Sequence, residues 1–495
     1  MSQNESNEGR LKIGIVGAGI AGMCTGIQLQ NQLGIHDYVI FDERHDVGGV
    51  WLVNTYPGCA CDVPSHFYSF SFEPNPNWSE SFSSQSEILE YLKSVARKHD
   101  LYKKIKFKHQ VKNCVWDEKI SKWRVLTQNK GLEKEYIFDI MISCLGGLRA
   151  PHIPAEFDAF KGPKMHSALW DNKIKLKNKK VAIVGTGASA IQIIPKIVDN
   201  VNTLTVYQRR PPWVVPRMQF SFPNWAQWAF AHIPGLQKTF RSTLFWFYEM
   251  SHAIYMKEST LSKLGERLGK NYLKKEFKRD DEKLQHELIP KYSIGCKRIT
   301  PSDEYYNSLS QPNVNIITSK ITKVNPRSIV TDDGHEENID VLILATGFKV
   351  QEFFSPLEII GKDSVNIMKL WKSEGPSSYL GMTSSTLPNC FFVIGPNSAL
   401  GHTSAIFSIE CQVNWIAKVL QEVINRNSSV VTVDENAEKQ HMERVLSQVQ
   451  NTVWSEDCGS YWKDHRGVVT GLVPDTGFGY WRKTRSPNFN HFIFN

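Results

Sequence analysis

The chain lacks most of the signals that place a protein at a glance. It has no CxxC pair. Its nine cysteines are an odd, scattered set, and the one close pair, Cys59 and Cys61, is a CxC too cramped for a usual zinc or dithiol site. A disulfide framework and a structural zinc site are therefore not expected, and a reducing compartment fits this cysteine usage. No stretch reaches the roughly 18 uninterrupted apolar residues of a transmembrane helix. The polar segment Met1 to Arg10 contains no apolar core of a secretory signal. Together these absences predict a cytoplasmic location. Charge of one sign is also scarce: 58 Lys and Arg against 50 Asp and Glu leave +8 over 495 residues. Such a bias draws anionic ligands weakly and does not mark a nucleic-acid partner. The run Lys173 to Lys180 lacks interleaved aromatics and reads as a solvated face. HExxH, EF-hand and triad spacings are missing, so no metal site is expected.

What is present is length and glycine in two telling places. A chain of 495 residues that is 41% hydrophobic has material for two to four packed domains. Near the start, a β-branched run leads into Gly17-x-Gly19-x-x-Gly22, and a helix continues to Leu33. Gly17 permits the tight turn, Gly19 lets backbone approach a pyrophosphate, and Gly22 lets helix and strand pack closely. Twenty residues on, Asp42 ends the strand Tyr38–Phe41, where a carboxylate can accept from an adenosine ribose. A second copy runs from Lys179: strand, Gly185-x-Gly187-x-x-Ala190, helix to Asp199. The strand after it, Thr203 to Tyr207, ends in Gln208-Arg209-Arg210 rather than in an acid. Arginine there pairs with a 2′-phosphate, which predicts NADP(H) at the second site and FAD at the first. Hydride transfer from nicotinamide to flavin follows.

Apolar runs ending in glycine, Asp139 to Leu148 and Asp340 to Phe348, read as buried parallel strands arriving at these sites. The expected fold is α/β, with two Rossmann-like dinucleotide-binding domains, the NADP domain inserted into the FAD domain, and a helical insertion. The expected bounds are 1–150 and 351–495 for the FAD-binding domain. Those for the NADP-binding domain are 151–212 and 296–350, with 213–295 as a helical subdomain. Within the last, the aromatic stretch Trp225 to Tyr255 reads as amphipathic helices, packed as a subdomain or in peripheral contact with a membrane surface.

Between the glycine motifs lies Phe160-Lys-Gly162-Pro-Lys-Met-His166-Ser-Ala-Leu-Trp170-Asp171. It resembles the fingerprint of Baeyer–Villiger monooxygenases, F-x-G-x-x-x-H-T-x-x-W followed by Pro or Asp, with Ser167 in place of Thr. Gly48-Gly49-Val50-Trp51 resembles the family's flavin-contacting GGTW. Asn54 to Asp62 resembles its N-x-YPG-x-x-CD, Gly295-Cys-Lys-Arg298 its GCKR, and Ala345 to Phe348 its ATGF. The resemblance runs from about residue 11 to about 485. It departs at Leu52 and Val53, where many members carry Tyr-Trp, and at Ser460 to Gly467, where two aromatics are exchanged.

The resemblance implies an NADPH- and O2-dependent flavoprotein that turns a ketone into an ester or lactone through a C4a-peroxyflavin. A flavin-dependent N- or S-oxygenase of the wider class is the alternative. It implies catalytic roles for Arg298, as a permanent cation for the developing anion, and for Asp62, as the group that holds and orients it. Flavin contacts are expected from Gly49, Val50, Trp51, Leu52, Val53, Ala60, Cys61, Asp62, Val63 and Tyr68. The segment Thr186, Gly187, Ala188, Ser189, Ala190, Ile191 and Gln192 should wrap the NADP pyrophosphate, with Arg209, Arg210 and Lys297 about the 2′-phosphate. The fingerprint residues Phe160, Gly162, His166, Trp170 and Asp171 are expected to couple NADP position to domain rotation. The partners implied are a small carbonyl substrate and O2.

Overall fold

In the computed structural model, residues 11–495 are described; the Met1 to Arg10 segment read above lies outside them. Five parallel strands form the first sheet, in the order Cys390–Phe392, Ile140–Ser143, Ile13–Val16, Tyr38–Asp42, Ile105–Phe107. Ile13–Val16 and Ile140–Ser143 are buried at every residue, as parallel strands covered on both faces must be. Ile13, Ile15, Ile40 and Ile142 pack under the helices Ile20–Leu33 and Ala405–Arg426. Val16, Phe41 and Met141 face the other way, onto Trp116, Trp123 and Phe138 of a four-stranded layer.

The second sheet repeats the plan with strands Val314–Ile317, Thr203–Tyr207, Lys180–Val184, Val341–Leu344 and Lys164–His166, again all parallel. Val181, Ile183, Leu204 and Val206 pack beneath the helix Ala188–Ile197. Ala182, Tyr207, Leu342 and Leu344 meet Phe157 and Phe160 on the opposite face. The chain passes between the sheets twice, and the two passages touch. His152 N–H donates to the Gly347 carbonyl at 2.8 Å, and Lys349 N–H to that of Ala150 at 2.9 Å. The Arg149 guanidinium binds the carbonyls of Gly146, Glu352, Phe353 and Ser355 around them.

The helices of residues 213–295 divide their contacts. Leu273 and Phe277, at the end of Thr260–Glu276, belong to the core of the second sheet. The helix Leu236–Met250 instead leans on the first core through Leu244, Phe245 and Tyr248.

The cysteine expectation needs one correction. Cys296 and Cys458, 162 residues apart, form a disulfide. The other described cysteines are free and, except for half-buried Cys59, buried. Sequence spacing shows only local pairs, whereas this bond closes a loop that the tertiary fold brings together, so the cysteine pattern could not reveal it. With it goes the inference of a reducing compartment from cysteine usage.

Candidate active site

Bare backbone lines the mouth of the first crevice. A Cβ on Gly22 would sit 1.8 Å from the Gly17 carbonyl oxygen, and one on Gly49 would sit 3.1 Å from the Gly19 Cα. The helix Ile20–Leu33 begins at Gly19 with no side-chain cap, so its first N–H groups are free for an anion. Asp42 closes the mouth from the strand side. Its two carboxylate oxygens accept the Ala18 N–H at 2.7 Å and the Arg44 N–H at 2.8 Å. Burial raises its pKa despite those bonds.

From Gly49 the chain makes the short helix Val50–Val53. Trp51 is buried there and donates its indole N–H to the Tyr68 hydroxyl at 3.1 Å, while Val50, Leu52 and Val53 stay half-buried. The loop then runs through Ala60 and Cys61 to Asp62, pinned by Cys61 N–H to the Ser83 carbonyl at 3.1 Å. Burial pushes the Cys61 thiol well up, so it is not a thiolate nucleophile. Val63, next along, is buried in the first core.

The second crevice is looser. Its helix starts at Gly187, also uncapped, and nothing lies within 4 Å of where a Gly187 Cβ would be. Thr186 donates its hydroxyl to the Arg210 carbonyl at 3.0 Å. Ala188 and Ser189 are half-buried, and Ala190 and Ile191 are buried beneath the helix. Gln192 ties this helix to the first domain: its amide donates to the Ala60 carbonyl at 2.9 Å and its oxygen accepts the Tyr56 hydroxyl at 2.9 Å. Arg209 and Arg210 are exposed. Burial, and then the charges of Arg210 and Arg209, push the Lys297 ammonium down to about 8. Among the described residues, no carboxylate pairs with any of these three cations.

Arg298 follows Lys297 and meets Asp62 across 236 residues of sequence. Its Nε and Nη2 donate to the two Asp62 oxygens at 2.8 and 2.7 Å, a bidentate fork. Asp62 strengthens the hold of Arg298 on its proton. Burial alone would raise the Asp62 pKa; the charge and hydrogen bonds of Arg298 outweigh it and the net shift is downward. Arg298 keeps Nη1 and the second Nη2 hydrogen free, with no acceptor among the described residues.

The loop that carries Arg298 is held from several sides. Gly295 has φ of 88° and lies against Tyr255, whose ring a Cβ would approach to 2.8 Å. Any other residue would be strained there and would displace the ring. Cys296 is anchored by the disulfide, and Thr300 bonds the Trp213 carbonyl.

Three residues that sequence reasoning passed over belong to this neighbourhood. Tyr248, Tyr255 and Tyr461 each feel the charges of both Asp62 and Arg298, and burial raises the phenol pKa values of Tyr248 and Tyr255. Tyr255 is pushed up to about 12 and donates to the Gly401 carbonyl at 3.2 Å. Arg217 was missed too; it donates to the Cys61 carbonyl at 3.0 Å. The aromatic richness around Trp225 to Tyr255 was the available signal for two of the tyrosines.

The fingerprint lies on the edge of the second sheet. Phe160 is in its core, and Gly162 sits against the Phe160 ring. His166 is buried, its Nδ1 accepts the Ala168 N–H at 3.1 Å, and its ring meets Phe348 at 5.8 Å. Burial lowers its pKa. Trp170 packs on the second core. Asp171 accepts the Lys173 N–H at 2.9 Å and shapes a turn.

Two Rossmann-type crevices, with a half-buried cation–carboxylate fork between Arg298 and Asp62, define an oxidoreductase of the two-dinucleotide class. The sequence pattern of the flavin-binding monooxygenase-like family matches residues 10–230 and 242–468, and the chain belongs to that family. A Baeyer–Villiger monooxygenase of Streptomyces coelicolor is 35% identical over 490 residues, covering 98% of this chain and 93% of its own. One from Pseudomonas aeruginosa is 35% identical over 456 residues, covering 92% and 85%. OTEMO, solved in complex with FAD and NADP, superposes with a TM-score of 0.86 at 26% identity over 98% of this chain and 99% of its own. The closed form of cyclohexanone monooxygenase shares the fold, with a TM-score of 0.87 at 24% identity and the same coverage.

Proposed function

We propose that this protein is a FAD-dependent, NADPH- and O2-consuming monooxygenase that converts a ketone to an ester or lactone. The observation that carries this reading is the Arg298–Asp62 fork with its unused donors. FAD fits the first crevice, where glycine backbone at 19 and 49 leaves the room a Cβ would take and the helix end is uncapped. NADP(H) fits the second, where Arg209, Arg210 and Lys297, with no ion-pair partner among the described residues, can receive a phosphate. Bound FAD, once reduced by NADPH, supplies the activation of dioxygen.

The chain's own residues do the rest. Attack of an oxygen nucleophile on a carbonyl carbon carries negative charge from the attacking oxygen onto the carbonyl oxygen. Arg298 faces that charge with free N–H donors and does not give up its proton, since guanidinium pKa values stay above ~12. Asp62 holds the guanidinium in plane. Its own lowered pKa makes it a poor proton acceptor, so it orients rather than acts as a base. Lys297, Arg209 and Arg210 anchor the phosphate end of NADP(H), and the fingerprint at His166 and Trp170 couples that anchoring to movement between the sheets. The proposed domain division is 1–150 with 351–495 for FAD and 151–212 with 296–350 for NADP, with helices in 213–295.

The test is aerobic turnover of a ketone panel with NADPH, measuring ester and hydrogen peroxide separately. Losing one preorganised donor costs about 10²–10³ in rate. Arg298→Ala should therefore still oxidise NADPH while ester formation falls by at least that factor. Undiminished ester formation removes the proposed role. Oxygenation of sulfides or amines, with no ester from any ketone in the wild-type enzyme, transfers the protein to the heteroatom oxygenases.

A further inference from the structure

The helix Leu236–Met250 has 15 residues, five of them aromatic, and none of them is buried. Its inner face is nevertheless occupied. Arg241 donates to the carbonyls of His66 at 2.9 Å and Phe67 at 3.2 Å, and Phe245 packs on Phe407. Steps of 100° per residue place Thr239, Ser242, Thr243, Trp246, Phe247 and Met250 together on the outer face. That face carries no charge and is exposed at all six positions. Trp246 is 53% exposed, Phe247 58% and Met250 68%.

The patch continues onto the helix Gly477–Thr484. Trp246 lies 6.1 Å from the Phe478 ring, and Phe478 lies 5.5 Å from Trp481; both are exposed. The preceding helix, Asn224–His232, exposes Trp225 and Trp228 as well. From Arg209 to Tyr248 the chain contains no Asp or Glu. Glu249 is turned inward, accepting the N–H groups of Gly477 and Phe478 at 2.8 and 2.9 Å. Lys238, Arg482 and Arg485 are exposed beside these aromatics, and none is ion-paired among the described residues. Arg485 stacks over Trp481 at 4.7 Å.

We propose that this face docks on the surface of a bilayer containing anionic phospholipid. Trp and Phe on an uncharged helix face, rimmed by basic side chains, are what the headgroup boundary accepts. No described helix is long and apolar enough to cross a membrane, so the contact is peripheral. A second copy fits poorly. A twofold contact would set the patch against itself and bring the Lys238, Arg482 and Arg485 rims together, while the neighbouring carboxylates are already engaged, Asp475 by Lys483 and Glu249 by the Gly477 and Phe478 N–H groups. The docking does not rest on the monooxygenase reading.

The test is co-sedimentation of the FAD-loaded full chain with vesicles of phosphatidylcholine alone and of phosphatidylcholine mixed with phosphatidylglycerol. Binding is expected to the mixed vesicles, with a blue shift of tryptophan fluorescence and weakening at high salt. Arg482→Glu with Arg485→Glu should cut that binding by about twentyfold or more, at roughly fivefold per basic residue. Trp246→Ser with Phe478→Ser should abolish the blue shift. Circular dichroism and flavin absorbance should stay unchanged in both pairs, since these side chains lie outside the candidate site. Three results overturn the proposal. The first is no wild-type binding to the mixed vesicles at low salt. The second is binding that neither pair reduces. The third is self-association of the wild-type chain that the Trp246→Ser pair dissolves, which would make the patch a contact between copies.

Discussion

At the first glycine turn, Gly22 packs so near the Gly17 carbonyl that a Cβ would sit 1.8 Å from it; at the second, the matching position already carries a Cβ, on Ala190. The strand-end residues differ as sharply. Asp42 spends both carboxylate oxygens on the backbone around the first turn, whereas Arg209 and Arg210 make no ion pair among the described residues and add to burial in depressing Lys297. One crevice is closed by shape and backbone hydrogen bonds, the other left open and charged. Shape excludes water and holds a group throughout; charge attracts a group quickly and yields to salt. The first suits a resident flavin and the second a nicotinamide cofactor that comes and goes.

The strongest way to break this contrast is to exchange the third residues of the two motifs. Gly22→Ala forces a methyl into the Gly17 carbonyl and should cost at least about 1–3 kcal/mol of overpacking. The purified protein should lose most of its flavin absorbance. Ala190→Gly puts no atom in the way; it should cost about 1 kcal/mol of helix stability and leave flavin content intact. Equal flavin content in the two variants would remove the argument from shape. A smaller effect is expected from charge. Arg209→Ala should raise the KM for NADPH by about tenfold to a hundredfold, as the loss of a charged hydrogen bond of about 1.5–3 kcal/mol implies. The KM for NADH should stay nearly constant. If both cofactors weaken alike, Arg209 does not read the 2′-phosphate.

Much of this contrast was legible in the sequence, because its parts are local. Gly-x-Gly after an apolar strand, and Thr203–Tyr207 running into two arginines, are patterns a few residues long. The strand stands where the run predicts it. What stayed hidden depends on distance along the chain. The Asp62–Arg298 fork spans 236 residues and the Cys296–Cys458 bond 162. Only resemblance to a family suggested the first, and nothing suggested the second. The aromatic stretch after Trp225 shows a helical period but not which core it serves. Leu236–Met250 meets the preceding helix through Phe240 and Phe230 and turns Leu244, Phe245 and Tyr248 to the first sheet's core. Tyr248 and Tyr255 come to the Arg298 neighbourhood by that route. Strand patterning points Asp42 at a ribose; its grip on the Ala18 N–H is something that patterning does not reveal.

The finest test of the comparison is pH, because it acts on the charged crevice alone. Lys297 has its pKa lowered from 10.5 to about 8, by burial first and then by Arg210 and Arg209. In the cofactor-free protein it therefore loses its charge as pH rises past about 8. A bound phosphate favours the ammonium, so the proton is held more tightly in the complex. NADPH affinity should then fall by about fivefold between about pH 8 and about pH 9. Stability of the cofactor-free chain should move the other way. Between about 8 and 10.5 the unfolded chain binds the proton that the folded chain has released, and stability rises with pH wherever the unfolded state holds more protons. Lys297→Met should flatten both slopes while leaving flavin content alone. Isothermal titration with NADP+ across this range, beside thermal melts of the cofactor-free protein, measures the two slopes independently. If they share a sign, or persist in Lys297→Met, another group controls the second crevice and its charge is not what distinguishes it from the first.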